Sequence, residues 1–426
     1  MGSEAIWDFV IVGGGPAGCA LAVDLARATT HLQVLLLEAG MQGDDKSLRV
    51  DGKVLGGSTT INFSVFTVGA RDDYDEWATV VGDELYKWDR MQPRFRRLET
   101  FDTTISDLKN AKYGGPKSSD HGSQGALRVG FASEWEQDLP LMLDVFEQAG
   151  LVRNPDSNSG NPIGMALMVN SAHKGRRTTA ADLLDTAPEN LTIITESPVQ
   201  RIVLDGKKAI GVKCNGKLCK SSNLLPEAGD GATLRALGSF SYASRLSGVV
   251  KDYSYVCMGV FLMNEQSSGE VRLQSSNPDD PLLFDPKFFS HSFDRRACIE
   301  ILRDALQVTK HGSFQKDTVA PMVVPPSESD DDLFEFWKNT VGSVWHIVGT
   351  VEIGRPGDAD AAVDSRFRVF GIENLRVADM SIVPVLLSTH LQVPAYMIGM
   401  TCAEVLVEEY DLHSAKRPSS RGCIPA

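Results

Sequence analysis

The sequence predicts an α/β protein: a Rossmann-like dinucleotide-binding domain joined to a second domain built on an antiparallel sheet. Three observations carry this. An apolar run, DFVIV at Asp8–Val12, enters the glycine pattern G-x-G-x-x-G at Gly13, Gly15 and Gly18, continues into a helix-forming segment, and returns as a second apolar run, LQVLLL, closed by Glu38. Far downstream, Ser267–Phe289 reads as strand, turn, strand, with Val271 and Leu273 alternating and NPDD as the turn. A length of 426 residues with 42% hydrophobic content suffices for two or three domains at about 100–200 residues each.

The first element is a short apolar strand fit for burial in a parallel sheet. Gly13 permits the tight turn out of it, Gly15 lets backbone approach a pyrophosphate, and Gly18 lets the following helix lie close on the sheet. Pro16 is tolerated in the first helical turn, and with Ala17 it begins a helix whose N–H groups and positive dipole end suit phosphate. Glu38 stands 20 residues after Gly18, where an acid accepts ribose hydroxyls. The motif serves NAD or FAD alike; an acid at Glu38 disfavours NADP, whose 2′-phosphate it would repel.

Composition narrows the partners. The charged fraction, 23%, is ordinary for a globular protein, and the net charge of −14 argues against nucleic acid and against an anionic membrane surface. No secretory signal and no stretch of about 20 apolar residues is visible, and the seven cysteines are scattered, which together predict a cytoplasmic protein with reduced thiols. The sequon at Asn190 is then not expected to carry a glycan. The C-terminal CIPA places Cys423 as in a prenylation box, but the proline before the last residue fits poorly and the basic tail reads as frayed.

Val54–Trp77, VLGGSTTINFSVFTVGARDDYDEW, is neither a plain strand nor a plain helix: small and hydroxyl residues give way to an acidic, aromatic patch. Here the chain resembles the glucose–methanol–choline (GMC) oxidoreductases, a family of FAD-dependent alcohol oxidases and dehydrogenases. Gly52–Asp75 is similar to that family's first signature nearly residue for residue. The resemblance implies that Gly57, Ser58, Asn62 and Ser64 surround the pyrophosphate and isoalloxazine, with Asn62 near the reactive end of the ring. It also implies non-covalent FAD, since no His or Cys stands where some members attach the flavin.

The resemblance covers most of the chain. Lys87–Glu99 is similar to the helix after the DYDxWA motif, His121–Val129 to the entry into the substrate domain, and Asn190–Val212 to a strand pair returning to the FAD domain. In that pair the backbone of Val199 would contact the adenine. His121 and His291 fall in these framework segments, where surface or capping roles are expected. Trp345–Gly354 and Asp364–Leu406 resemble the C-terminal block. There NLRVADMSIVP, with Asp379 among the cofactor contacts, is a strand followed by a turn over the flavin, and HLQVPAYMIGMTCAEVL opens a helix pointing at the ring, whose positive end favours reduced, anionic flavin.

His346 and His390 fall on the family's two catalytic positions, a His–His pair as in glucose oxidase and aryl-alcohol oxidase. The chemistry is direct. Removing hydride from an alcohol carbon requires the hydroxyl proton to leave, and a histidine near neutrality can accept it. The second can orient the oxygen and stabilise a developing alkoxide.

Two departures stand out. Only 13 residues separate Glu38 from Gly52, where members usually carry a longer loop. The second signature, a Gly/Ala/Ser/Pro-rich strand–turn–helix, is absent between Lys213 and Leu234. Glu352 and Ile353 also stand where other residues are common, Glu352 as a solvated charge or as a neighbour tuning His346. SESDDD, Ser327–Asp332, reads as a solvated helix cap.

The expected division is an FAD domain from 1–85, 190–235 and 345–412, a substrate domain from 86–189 and 236–344, and a tail. The expected activity is oxidation of a small-molecule alcohol, with O₂ or a quinone-like acceptor, in secondary metabolism; no metal is expected. The alternative is a shortened, redox-inactive member acting as a binding protein or as a His-dependent lyase or isomerase.

Overall fold

A computed structural model describes residues 6–42, 53–105, 108–226, 258–277, 280–316 and 318–413. Residues 227–234 of the missing-signature region and the CIPA tail lie outside these residues. By compactness the chain divides into a larger unit, Met1–Glu134, Asn154–Gly231 and His346–Ala426, and a smaller one, Trp135–Arg153 and Ala232–Trp345. The expected functional boundary sent 86–134 and 154–189 to the other side. Those residues pack with the larger unit because Trp88, Met91, Phe95, Leu98, Leu127 and Val129 all join its core.

In the larger unit the strands are β1 (Ile6–Val12), β2 (Val34–Leu37), β3 (Glu99–Asp102), β4 (Leu127–Phe131), β5 (Val169–Asn170), β6 (Ala172–His173), β7 (Arg176–Arg177), β8 (Leu191–Ile194), β9 (Val199–Asp205), β10 (Lys208–Cys214) and β11 (Lys217–Pro226). Six of them form one sheet in the order β8-β2-β1-β11-β10-β9. The pairs β8–β2, β2–β1 and β1–β11 are parallel, and β11–β10 and β10–β9 antiparallel. Parallel strands covered on both faces require unbroken apolar runs, and all four residues of β2 are buried. Although the second signature is missing from the sequence, a strand, β11, still lies beside β1.

The first crossover helix, α1 (Pro16–Ala28), packs on the C-terminal helix (Gln392–Glu409). That helix is buried along most of its length with no polar stripe, as expected of a helix covered on several sides. The two backbones meet at a glycine: a Cβ on Gly399 would lie 2.1 Å from the Ala17 carbonyl oxygen. Helices α2 (Arg71–Val81) and α3 (Trp88–Leu98) complete the layer. Buried Arg94 on α3 donates from Nε and Nη2 to Glu404 Oε2 at 2.9 and 2.6 Å, and Arg97 bridges Glu404 and Asp24.

Smaller sheets flank this core: β3 pairs with β4 in parallel, β4 with β5 and β6 with β7 antiparallel. Asn190 is buried, and its Nδ2 donates to the carbonyls of Ala26, Thr29 and Leu32, so the sequon asparagine ties the end of α1 to the sheet. The expected strand at NLRVADMSIVP reduces to isolated bridges at Glu373, Leu375 and Arg376, followed by a short 3-10 turn, Met380–Ile382.

In the smaller unit Glu270–Arg272 pairs antiparallel with Leu283–Asp285 around Val271 and Phe284, the hairpin read from the sequence. His291 caps the helix Ser292–Lys310 by accepting from Phe293 N–H, and Ser329 caps Asp330–Thr340, the helix after SESDDD. Ile299, Leu302 and Leu333 pack between these two helices. The fold class is therefore the expected α/β one, a Rossmann-like domain with a second domain carrying an antiparallel strand pair.

Candidate active site

The glycine turn opens onto a helix start with no side-chain cap: Gly15 is the N-cap of α1, and no acid occupies its first turn. Gly13 has φ 106°, a left-handed conformation that glycine adopts at little cost. The segment from the first signature lies directly against this turn. Gly57 (φ 56°) opens a 3-10 turn, Gly57–Thr60, and a Cβ on it would sit 2.8 Å from Gly15 Cα. Gly56 N–H also donates to the Gly14 carbonyl at 2.8 Å. Gly13, Gly15, Pro16, Ala17, Gly18, Gly57 and Ser58 are thus gathered at one end of the sheet. A cradle too tight for a Cβ and a helix start without an anion of its own fit a pyrophosphate.

Glu38 ends β2 in the same place, almost fully buried. Burial pushes its carboxyl up, against hydrogen bonds from backbone N–H groups. Oε2 accepts from Gly14 N–H at 2.7 Å and Oε1 from Gly40 N–H at 2.6 Å. The acid therefore organises the glycine loop. Val199 begins β9 and packs beside Val10, Leu35 and Leu37.

The histidine pair is assembled from two segments outside the helices and strands. Residues 349–353 run along the 3-10 turn, with Val351 and Ile353 N–H donating to Ser381 and Ile382 carbonyls, each at 2.9 Å. That turn is capped by buried Asp379, whose Oδ1 accepts from Ser381 N–H at 2.7 Å. The second segment is clamped by Thr67: Thr389 Oγ1 donates to the Thr67 carbonyl, and His390 N–H to Thr67 Oγ1. Asp73 of the acidic, aromatic patch accepts from Ser388 N–H at 2.7 Å, which gives that patch a scaffolding role. As a result His346 Nε2 and His390 Nδ1, 44 positions apart, stand 2.8 Å from each other with ring planes at 82°. One nitrogen must donate and the other accept, so the contact holds a single proton. Burial pushes the His390 imidazole down.

Asn62 links the two halves of the site. Its Nδ2 donates to Gln392 Oε1 at 2.8 Å, and its Oδ1 accepts from Ser64 N–H and from Arg177 Nη1. Ser64 itself is held at φ 61°. Arg177, Gln392 and Thr67 were not singled out by the sequence; the signals were a paired arginine in GRRTT and a polar residue opening an apolar helix. Glu352 lies with Asp358 and Asp360, and burial followed by those charges pushes its carboxyl up.

His121 corrects the expected surface or capping role. It is buried, its Nδ1 2.9 Å from Glu99 Oε1 and its Nε2 3.1 Å from Asp156 Oδ2. Burial alone would push it down, but the two carboxylates outweigh this and raise it to about 9.

Comparison with known proteins agrees with this geometry. The GMC oxidoreductase family matches residues 7–235 with its N-terminal domain and 265–399 with its C-terminal domain. The chain belongs to this family. Members are FAD-dependent alcohol oxidases and dehydrogenases, so the chain is an oxidoreductase of that type and FAD is its cofactor. It is 23% identical to the dehydrogenase pkfF of Emericella nidulans over 95% of this chain and 93% of that one. It is 24% identical to an alcohol dehydrogenase [acceptor] of Pseudomonas putida over 96% and 97%. The pkfF alignment spans 580 positions, more than this chain has residues, so within the matched span pkfF carries segments that this GMC chain lacks. Pyridoxine 4-oxidase from Mesorbium loti shares the fold with a TM-score of 0.77 at 22% identity, over 96% of this chain and 100% of that one.

Among the described residues no helix is long and apolar enough to cross a membrane.

Proposed function

We propose that the protein oxidises the CH–OH group of a small organic alcohol with His346 as base and His390 as its partner. The observation that carries this reading is the His346–His390 contact at 2.8 Å, two residues before the start of the C-terminal helix. Bound FAD would accept the hydride that leaves the carbinol carbon. The chain's own task is the proton. An imidazole pair with one shared proton offers a lone pair to the substrate hydroxyl, and the pushed-down His390 favours the uncharged state that this requires. The uncharged pair can then hold the oxygen while negative charge develops on it.

For the cofactor, Gly13, Gly15, Pro16, Ala17, Gly18, Gly57 and Ser58 would hold the pyrophosphate, Glu38 the ribose and Val199 the adenine. Asn62, Ser64 and Asp379 would hold the ring end, without a covalent bond to the protein. The electron acceptor is O₂ or a quinone-like molecule, and a cytoplasmic place in secondary metabolism is part of the same reading.

Purified protein should be yellow, and its visible band should bleach when an alcohol from a substrate panel is added without oxygen. A flavin-loaded protein that no alcohol bleaches would leave the alternative, acid–base chemistry or binding on a redox-inactive fold.

A further inference from the structure

Thr67 gives its carbonyl and its Oγ1 to the backbone that carries His390, so the place of that ring depends on what holds Thr67. Thr389 Oγ1 donates to the Thr67 carbonyl at 2.9 Å, and His390 N–H lies 3.3 Å from Thr67 Oγ1. The flanking residues, Phe66 and Val68, are buried, and all four of their backbone polar groups are met. Phe66 N–H donates to the Val169 carbonyl at 2.8 Å, and the Tyr74 phenol donates to the Val68 carbonyl at 2.7 Å. The other two groups go to one side chain. Val68 N–H donates to Asn158 Oδ1 at 3.1 Å, and Asn158 Nδ2 donates to the Phe66 carbonyl at 2.9 Å. A backbone N–H only donates and a carbonyl only accepts, so the two contacts decide which end of the amide is which. A carboxylate in its place would turn an oxygen toward the Phe66 carbonyl.

Asn158 has its own support. It is buried, 90 positions from Val68, in a loop wound on its own side chains. Asn154 Oδ1 accepts from Asp156 N–H at 3.0 Å, and Asp156 Oδ1 from Asn158 N–H at 3.1 Å. On one side of Asn158, Asp156 Oδ2 faces His121 Nε2 at 3.1 Å; on the other, the Gly160 carbonyl accepts from Arg71 N–H at 2.9 Å. The loop is thus anchored before and after the amide. We propose that Asn158 is a positioning residue for His390: its amide fixes the peptide groups around Thr67, Thr67 fixes the backbone of residues 389–390, and that backbone sets the contact between the two imidazoles. The proposal rests on the reading that the histidine pair takes the hydroxyl proton. A shift of about 1 Å in a reacting group can cost on the order of 10²-fold in rate, so a small release at Thr67 is enough.

The test uses FAD-loaded protein, with two readouts: anaerobic flavin reduction by an alcohol that bleaches the wild type, and proton NMR titration of the imidazole signals. Asn158→Ala and Asn158→Asp should each slow reduction at saturating alcohol by about 10–100-fold. The His390 signal should titrate higher than in wild type, toward the ordinary imidazole value, because burial is what pushes it down. Thr67→Val, which keeps the shape and loses the hydroxyl, should move both readouts the same way, and Thr67→Ser should restore them. The two residues act in series, so the double variant of Asn158→Ala with Thr67→Val should be no slower than the slower single variant. Rates that multiply would show independent roles and overturn the proposal. Asn158→Asp is isosteric and keeps an acceptor for Val68 N–H, so it carries the test where Asn158→Ala does not fold. A purely structural Asn158 would lower the unfolding temperature and leave the reduction rate and the His390 titration at wild-type values, which overturns the proposal while the functional reading stands. A flavin-loaded wild type that no alcohol bleaches would overturn both.

Discussion

His121 and His390 both give up solvent, and burial pushes each toward its uncharged form, yet the two sites are built for opposite states. His121 is gripped on both ring nitrogens by carboxylates, Glu99 and Asp156, and stays protonated up to about 9. His390 faces another imidazole and is pushed down. Burial is common to both, so the partner decides. A histidine held positive between two acids cannot take a proton at neutral pH and serves as a cross-link between β3, the 121–125 segment and the loop at Asp156. A histidine kept uncharged beside a second imidazole retains a lone pair for chemistry. The family resemblance separated the two, placing His390 at a catalytic position and His121 in the framework, but it expected His121 at the surface or as a cap and not between two acids.

The sharpest way to break the comparison is to remove His346, the ring beside His390 that is proposed as the base. His346→Ala should slow anaerobic flavin reduction by about 10²–10⁴-fold, the usual range for a lost general base. FAD should stay bound, because the glycine turn and Gly57–Ser58 lie at the other end of the site. Rapid mixing of enzyme with alcohol measures this, and an unchanged rate ends the assignment of His346 as the base.

The structural histidine should show itself in stability instead. Its folded-state value of about 9 lies above the ordinary 6.5, so its contribution is fully present below pH 6.5 and is lost as pH rises through about 9. The whole span corresponds to about 3 kcal/mol. Denaturant unfolding at several pH values should show wild type losing stability across that window. His121→Gln should be destabilised at neutral pH, since it leaves Glu99 buried with one oxygen, Oε2, already without a partner. It should also lose the slope. A variant that keeps the same slope would show that another group titrates.

How much of this was legible in the sequence follows from the range of each signal. The turn from β1 to α1 is local: spacing of glycines, apolar runs and one acid suffices, because the strand, turn, helix and acid all lie between Asp8 and Glu38. Val54–Trp77 was legible as something irregular, and within it Gly57–Thr60 forms a 3-10 turn against Gly15. The histidine pair needed family resemblance, since residues 44 apart meet only through the fold. The environment of His121 was not legible at all. Glu99 precedes it by 22 positions and Asp156 follows it by 35, and nothing in their spacing announces a pair of acids around one ring. Arg177 and Gln392 escaped for the same reason, as both matter through Asn62.

Glu38 lies between the legible and the hidden. Its place was readable, but its hydrogen bonds to Gly14 and Gly40 were not. Glu38→Ala should weaken FAD binding by an amount set by charge-assisted hydrogen bonds, about 1.5–3 kcal/mol, with flavin reduction at saturating FAD little changed. Titration of apo-protein with FAD measures it, and unchanged affinity removes Glu38 from the site.

The smallest effect belongs to His390→Asn, and it bears most directly on the shared proton. Asparagine can still hydrogen-bond an oxygen, but it cannot ionise. Wild-type flavin reduction should rise with pH through an ionisation below the ordinary imidazole value, because protonation of either ring removes the lone pair, and burial makes protonation of His390 harder. In His390→Asn the rate should fall by no more than about tenfold, within the range of a neutral hydrogen bond. The remaining ionisation then belongs to His346 alone, so the inflection should shift once the imidazole–imidazole contact is gone. Anaerobic pH profiles of the two proteins decide between outcomes. A variant more damaged than His346→Ala would make His390 the base and His346 its partner. An inflection that does not move would mean that the two rings titrate independently, despite standing 2.8 Å apart.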